Sequence, residues 1–225
     1  MIRLNNVTKR FGNEVVAVDN VSMEFEDGKF YAIMGPSGSG KSTILNMIGG
    51  LEKVTSGNVE VNGADITEMN YNEKADMRLN NMGYIFQSFY LNPYLNALDN
   101  VIVPMEINKR IARKDRKVRA EELLKKVGLE ERVKHFPNQM SGGEQQRTAI
   151  ARALANCDTC EEGSFIILAD EPTGNLDEEN EIQIFSMLRD MTKEGKTVIA
   201  VSHNDLIKEY ADCVIYIKKG RIVND

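Results

Sequence analysis

The sequence predicts an α/β fold: a parallel sheet with helices, an antiparallel β part at the N-terminus and an inserted α-helical lobe. Three observations predict it. Residues 30–34, 165–169 and 197–201 are short, unbroken apolar runs, the pattern of strands buried on both faces of a parallel sheet. The first thirty residues follow a period of two, as half-buried strands do, and a second strand pair surrounds Asn62-Gly63. From about 92 to 155 no comparable apolar run occurs, and the patterns are helical.

Each element has a local reason. Glu14-Val15-Val16-Ala17-Val18 and Val21-Ser22-Met23-Glu24-Phe25 read as half-buried strands, with Asp27-Gly28 as a turn. Phe30-Tyr31-Ala32-Ile33-Met34 makes a buried strand, followed by a glycine-rich loop and a short helix ending near Gly49-Gly50. Val59-Glu60-Val61 and Ala64-Asp65-Ile66 flank Asn62-Gly63, the dipeptide that best tolerates the positive φ angles of a tight hairpin. In the helical lobe, residues 114–127 form a helix that Gly128 closes. Between the last two apolar runs, residues 178–191 form a helix with Ile182, Phe185, Leu188 and Met191 on one face. Neither an internal repeat nor a low-complexity stretch interrupts the chain, so residues 1–225 read as one domain. Segments 1–91 and 156–225 make the core with its β part, and 92–155 the helical lobe.

Composition narrows the function. A chain of 225 residues, 42% hydrophobic and 28% charged, supports one sizeable α/β domain. No apolar stretch approaches the roughly 18 to 20 residues that cross a bilayer, and Met1-Ile2-Arg3-Leu4-Asn5 lacks the apolar core of a signal peptide. The expectation is a protein that stays in the compartment where it is made. A formal charge of −6 argues against general nucleic-acid binding, which needs a basic surface. Three cysteines, Cys157, Cys160 and Cys213, are too few for a disulfide scaffold and point to a reducing cytoplasm. Cys157-x-x-Cys160 reads either as a metal or redox pair or as two small residues in a loop; no second pair or nearby histidine accompanies it, which favours the loop.

The chemistry begins at Gly35-Pro36-Ser37-Gly38-Ser39-Gly40-Lys41-Ser42, which follows an apolar strand and opens a helix. Glycines let the backbone curl so that successive N–H groups point inward, and the helix N-terminus adds partial positive charge. Lys41 then reaches the β- and γ-phosphates of a nucleotide, and the Ser42 hydroxyl sits on Mg²⁺. A glycine turn before a helix is the plain alternative. The second apolar run ends in Asp170-Glu171, so two carboxylates emerge where ligands sit in such sheets. Asp170 suits a hold on Mg²⁺, and Glu171 is placed to polarise a water; a cap on the turn that Pro172 begins is the plain alternative. His203 follows the third run and comes to the same sheet edge.

Met140-Ser141-Gly142-Gly143-Glu144-Gln145-Gln146-Arg147 resembles the signature motif of ABC-type ATPases, usually written with Leu first and Gln fifth. Read from the residues alone, Ser141 and Glu144 make a capping box at a helix start whose free amides favour an anion. A plain cap explains those two residues; two adjacent glycines are explained by close backbone approach to a phosphate. The resemblance covers essentially the whole chain and implies a P-loop NTPase (RecA-like) core, with ATP and Mg²⁺ bound by Gly35, Pro36, Ser37, Gly38, Ser39, Gly40, Lys41, Ser42 and Thr43. It implies that Ser141, Gly142 and Gly143 bind the γ-phosphate of ATP held by a second copy of the chain, so that two chains clasp two nucleotides head to tail. Phe11 resembles the aromatic that stacks on adenine, with an ordinary core phenylalanine as the alternative. Gln87 resembles the glutamine that touches Mg²⁺ and water and couples the site to a membrane partner. Asp177, in Gly174-Asn175-Leu176-Asp177, resembles the acid that crosses to the other subunit, and His203 the histidine that senses the γ-phosphate. The catalytic set is thus Glu171, His203 and Gln87, and the metal set Ser42, Gln87 and Asp170.

The sequence departs from the family pattern at Met140 and Glu144, and residues 156–164 are a few longer than the corresponding loop, which suggests a surface insertion. The order of parts is most similar to ATPase subunits of the bacterial lipoprotein-release and macrolide-export group. That resemblance implies a separately encoded integral membrane permease as partner, no nucleic acid, and a cytoplasmic chain peripheral to the membrane. Phe89, Tyr90, Leu91 and Tyr94 are candidate permease contacts, with packing inside the helical lobe as the alternative. The basic run from Lys109 to Lys117 reads as a solvated helix face or a surface for anionic headgroups. Two further readings are an ATP-dependent signalling or mechanotransmission module, and a soluble ATPase acting on nucleic acid; the second calls for a long coiled coil or tandem cassettes, which the sequence lacks.

Overall fold

The computed structural model describes residues 1–12, 15–108, 110–160 and 163–223. Glu14 of the first alternating segment and Lys109 of the basic run lie outside the described residues, as do two positions of the 156–164 segment. The chain runs β1 (Ile2–Phe11), β2 (Val15–Phe25), β3 (Phe30–Met34), α1 (Lys41–Ile48), β4 (Ser56–Val61), β5 (Ala64–Asp65), α2 (Tyr71–Asn81), β6 (Met82–Phe86), α3 (Ala97–Asn108) and α4 (Arg113–Lys126). It continues with α5 (Gly142–Ala153), β7 (Ile166–Asp170), α6 (Glu178–Lys193), β8 (Thr197–Ser202), β9 (Cys213–Lys218) and β10 (Arg221–Val223).

The strands form two sheets. An antiparallel sheet in the order β2-β1-β4-β5 gathers the period-two segments, while β10-β9-β3-β8-β7-β6 makes the second sheet. In the second, β9, β3, β8, β7 and β6 are mutually parallel and β10 is the antiparallel edge. The β4–β5 hairpin turns on Asn62 (φ 49°) and Gly63 (φ 81°), two left-handed residues as an Asn-Gly turn requires.

The unbroken apolar runs are buried on both faces because each side of the parallel sheet carries its own core. Phe30, Ala32, Ile167, Ala169, Val198 and Ala200 face one cluster, completed by α3 to α6 through residues such as Val101, Leu124, Ile150 and Phe185. Tyr31, Ile33, Leu168, Ile199 and Val201 face the other, where Ile44, Leu45 and Ile48 of α1 meet Leu4, Val7 and Phe25 of the antiparallel sheet. The antiparallel sheet therefore lies over α1, and the helical segment covers the opposite face.

Two expectations change, and one pair of elements has no counterpart in the sequence reading. In α6 the buried stripe is Ile184, Phe185, Leu188 and Met191, and Ile182 is exposed. At 3.6 residues per turn Ile182 lies about 120° from the centre of that stripe. The 156–164 segment is not a simple surface insertion: Asn156 is buried, and Cys157 and Cys160 pack against the core. Asn156 donates to the carbonyls of Leu79 and Pro104, so the segment stitches α2 to α3. Helix α2 and strand β6 are that pair; α2 has no buried residue, and its apolar positions, Tyr71, Ala75, Met77 and Leu79, stand among charged and amide side chains. No helix among the described residues is long and apolar enough to cross a membrane.

Candidate active site

The carboxyl ends of β3, β7 and β8 converge, and the loops leaving them carry the phosphate loop, Asp170-Glu171 and His203. The phosphate loop is pinned by close packing. Gly35 (φ 149°) passes so close to β9 that a Cβ would sit 2.0 Å from the Ile217 carbonyl oxygen, and at Gly40 (φ 105°) one would sit 2.2 Å from that of Ala17. Gly38 needs its left-handed φ of 74° but faces open space. Gly40 is the N-cap of α1 and supplies no side-chain cap, so the first amides of α1 stay available to an anion. Pro36, Ser37 and Gly38 are exposed, Ser39 is buried, and Thr43 is half-buried one residue beyond Ser42.

Lys41 is buried, and its Nζ donates to the carbonyls of Gly35 (2.8 Å) and Pro36 (3.2 Å). The Ser42 hydroxyl donates to Asp170 Oδ1 at 2.8 Å. Burial pushes the Asp170 carboxyl above the usual carboxylate range; the charge of Glu171 adds to this, while Ser42 and Lys41 oppose it. A divalent cation on this pair would offset that penalty. A hydroxyl and a carboxylate are hard oxygen donors of the kind Mg²⁺ takes, and Gly38 faces open space beside the uncapped amides of α1, so the residues fit both ligands.

Glu171 stands at the mouth of the sheet with a left-handed φ of 47°. That conformation costs a non-glycine residue about 1–3 kcal/mol and is held by its neighbours. Its N–H donates to the Val201 carbonyl (3.0 Å), and its own carbonyl accepts from Gly174 N–H (3.2 Å). His203 Nδ1 lies 2.9 Å from Glu171 Oε2, with the imidazole largely exposed and the carboxylate side chain 17% exposed. Glu171 and His203 thus form a pair ahead of the phosphate loop.

Not every expected residue joins this cluster. Gln87 leaves the end of β6 and packs on Gly174, where a Cβ would meet its Nε2 at 2.8 Å; its carbonyl accepts from Asn175. Among the described residues no hydrogen bond joins its side chain to Ser42 or Asp170. Phe11 ends β1 with 43% exposure and Lys9 Nζ 4.8 Å above its ring, so it is not a core phenylalanine. Ser141 caps α5 through its hydroxyl, which accepts from Glu144 N–H (3.2 Å), while Ser141 N–H donates to Glu144 Oε2 (2.9 Å). The atoms closest to a Cβ at Gly142 or Gly143 belong to Leu176, Asn175, Phe89 and Asn180, not to the phosphate loop. Asp177 caps α6, accepting from Asn180 N–H at 2.9 Å. Sequence reasoning missed Gln146 and Asn180, which join α5 to the 171–180 segment; only their place beside named motifs could have signalled them.

Comparison with known proteins matches this geometry to one family. The ABC transporter family profile matches residues 18–174, more than half of the chain. An uncharacterized ABC transporter ATP-binding protein of Methanocaldococcus jannaschii is 43% identical, over 99% of this chain and 98% of its own length. The macrolide export ATP-binding/permease protein MacB of Pasteurella multocida is 39% identical over 100% of this chain, which spans 34% of MacB. The dimeric post-hydrolysis structure of the ATP-binding cassette MJ0796, bound to ADP and Pi, superposes with a TM-score of 0.89 at 41% identity, covering 100% of this chain and 97% of that one. Phosphate loop, acidic strand end and capped signature helix occur here in the arrangement of an ATP-hydrolysing cassette, and the chain belongs to the ABC transporter family.

Proposed function

We propose that the chain works as a head-to-tail dimer that closes around two Mg-ATP and drives a separately encoded membrane permease of the lipoprotein-release and macrolide-export group. The observation that carries the dimer is the separation of the two phosphate-binding elements. The phosphate loop stands with Asp170, Glu171 and His203, while Gly142 and Gly143 open a capped helix start beside Leu176 and Asn180. One chain presents two half-sites, and a second copy completes each. MJ0796, dimeric in its solved structure, supports this.

In this reading Lys41 trades its carbonyl partners for the β- and γ-phosphates, and the amides of residues 38–43 line the chain of phosphates. Ser42 and Asp170 would hold Mg²⁺, with Gln87 joining them on closure; the ion would supply charge screening for the phosphate oxygens. Glu171 accepts a proton from the attacking water, and His203, already against Glu171, orients the pair toward the γ-phosphate. Phe11 stacks on adenine. Ser141, Gly142, Gly143 and Asp177 serve the partner's nucleotide.

Residues 1–91 and 156–225 form the catalytic core and 92–155 the helical subdomain. Between them lies a groove of about 420 Å³, lined by Leu79, Met82, Tyr84, Phe86, Tyr90 and Pro104 among others. Beside it Phe89 and Tyr90 hold left-handed φ values of 55° and 48°, and Arg152 of α5 donates to both carbonyls. Tyr90 and Tyr94 are largely exposed, at 68% and 86%. An apolar groove with aromatic rims suits a short helix of the permease, and the cassette then works peripherally on the cytoplasmic face of the membrane. MacB, whose name joins ATP-binding and permease functions in one protein, supports the export group. The test is a mixture of wild-type and Ser141→Arg chains: in a shared site the variant poisons its partner, so activity falls faster than the wild-type fraction. Activity proportional to that fraction overturns the dimer.

A further inference from the structure

We infer that Gln146 is a positioning residue that ties the signature helix of a chain to Glu171 of that same chain. This rests on the reading of Glu171 as the base. Gln146 lies one turn into α5, four residues after Gly142, and is fully buried. Its Nε2 donates to the Pro172 carbonyl at 2.6 Å, while among the described residues its Oε1 has no partner. A buried amide that uses only one of its two ends is not there to satisfy the core; an apolar side chain of its size would leave fewer unmet groups on α5. What the amide does is hold the peptide that follows Glu171.

That peptide matters because Glu171 is in the left-handed region, from which an unrestrained residue relaxes. Its N–H is fixed by Val201 and its carbonyl by Gly174. The Gln146–Pro172 bond fixes the next carbonyl, so the Glu171 backbone is held from β8, from the following turn and from α5. Two further ties run in parallel. Arg147 donates to Asn180 Oδ1 (3.1 Å), and Asn180 Nδ2 donates to Asp177 Oδ1 (2.8 Å). A Cβ at Gly143 would meet Asn180 Oδ1 at 2.0 Å, so α5 and the start of α6 have no slack between them. A signature helix displaced by the partner's nucleotide therefore moves the Pro172 peptide, and Glu171 with it. Each chain senses engagement of its outgoing half-site at its own base.

The inference separates cis from trans, which a merely structural role does not. In a purified heterodimer where one chain carries Glu171→Gln, hydrolysis comes from the chain with the intact glutamate. Gln146→Met on that intact chain lowers single-turnover hydrolysis about 10- to 100-fold, the effect of misplacing a reacting group by about 1 Å, with nucleotide affinity held within about twofold. Gln146→Met on the Glu171→Gln chain, whose signature faces the live nucleotide, changes the rate by less than about twofold. Equal losses in the two placements, a loss confined to the second, or none overturns the inference. Thr148→Val is the folding control: it removes a buried hydroxyl that donates to the Glu144 carbonyl (2.9 Å) on the same helix, and its rate matches wild type. A Thr148→Val loss equal to that of Gln146→Met also overturns it. Normal hydrolysis in a Glu171→Gln homodimer overturns the reading of Glu171 itself; a Glu171→Gln deficit without the cis effect overturns the link alone.

Discussion

Replacing Gly40 by Ala tests why the phosphate loop is built of glycines. The new Cβ would lie 2.2 Å from the Ala17 carbonyl oxygen, against about 3.3 Å for a relaxed carbon–oxygen contact, so loop and β2 must part by roughly 1 Å. Backbone strain at φ 105° contributes about 1–3 kcal/mol, and overpacking against a backbone atom about as much again. Lower entropy of the unfolded alanine chain returns about 0.4–1 kcal/mol. The net loss is about 1–5.6 kcal/mol, roughly 2–22 °C in Tm for a chain of this size. Gly38→Ala is the matched comparison: it meets no atom within 4 Å and has only the left-handed φ to accommodate, a cost of about 1–2 kcal/mol before the same entropic return. Thermal and urea unfolding of both variants, with ATP titration, give the answer. Equal destabilisation of the two, or a Gly40→Ala protein within about 0.5 kcal/mol of wild type, refutes the claim that Gly40 is required by packing against β2.

Glu171→Gln retains ATP and gives a stable dimer while hydrolysis falls by about two to four orders of magnitude, the worth of a positioned base; near-normal turnover refutes the assignment. Glu144 makes a pH prediction. The Ser141 backbone N–H, helped by Arg132 at 2.9 Å, holds its carboxyl below the ordinary value of 4.5. A depressed carboxylate stabilises the fold above its unfolded pKa and loses that contribution as pH falls through the folded one. Wild type therefore melts above Glu144→Gln at neutral pH, and the two converge as pH drops below 4.5. A gap in Tm that stays constant down to acid pH refutes it.

The buried runs at β3, β7 and β8 were legible because strands covered on both faces have nowhere to put polar residues. The hairpin was legible because Asn62-Gly63 is nearly its own geometry. Helix α2 was not, since Tyr71, Ala75, Met77 and Leu79 are few among polar neighbours and none is buried deeply enough to mark a face. Ile182 misled for a related reason: three-residue spacing from Phe185 looks like a stripe until Ile184 fixes where its centre is. At the site, phosphate loop, Asp170, Glu171 and His203 were readable from strand ends alone. The left-handed backbone of Glu171 and the reach of Gln146 to Pro172 depend on how two distant segments meet, and no local pattern encodes that meeting.

Lys41, bonded to the carbonyls of its own loop, gives the site a threshold. Two of its three N–H donors are spent on neutral carbonyls, so an incoming anion competes with dipoles and not with another charge. A triphosphate brings several charged oxygens at once, enough to draw the ammonium away while the α1 amides take the remainder. Lys41 thereby braces its own loop through the two carbonyls that it would release to a bound phosphate chain.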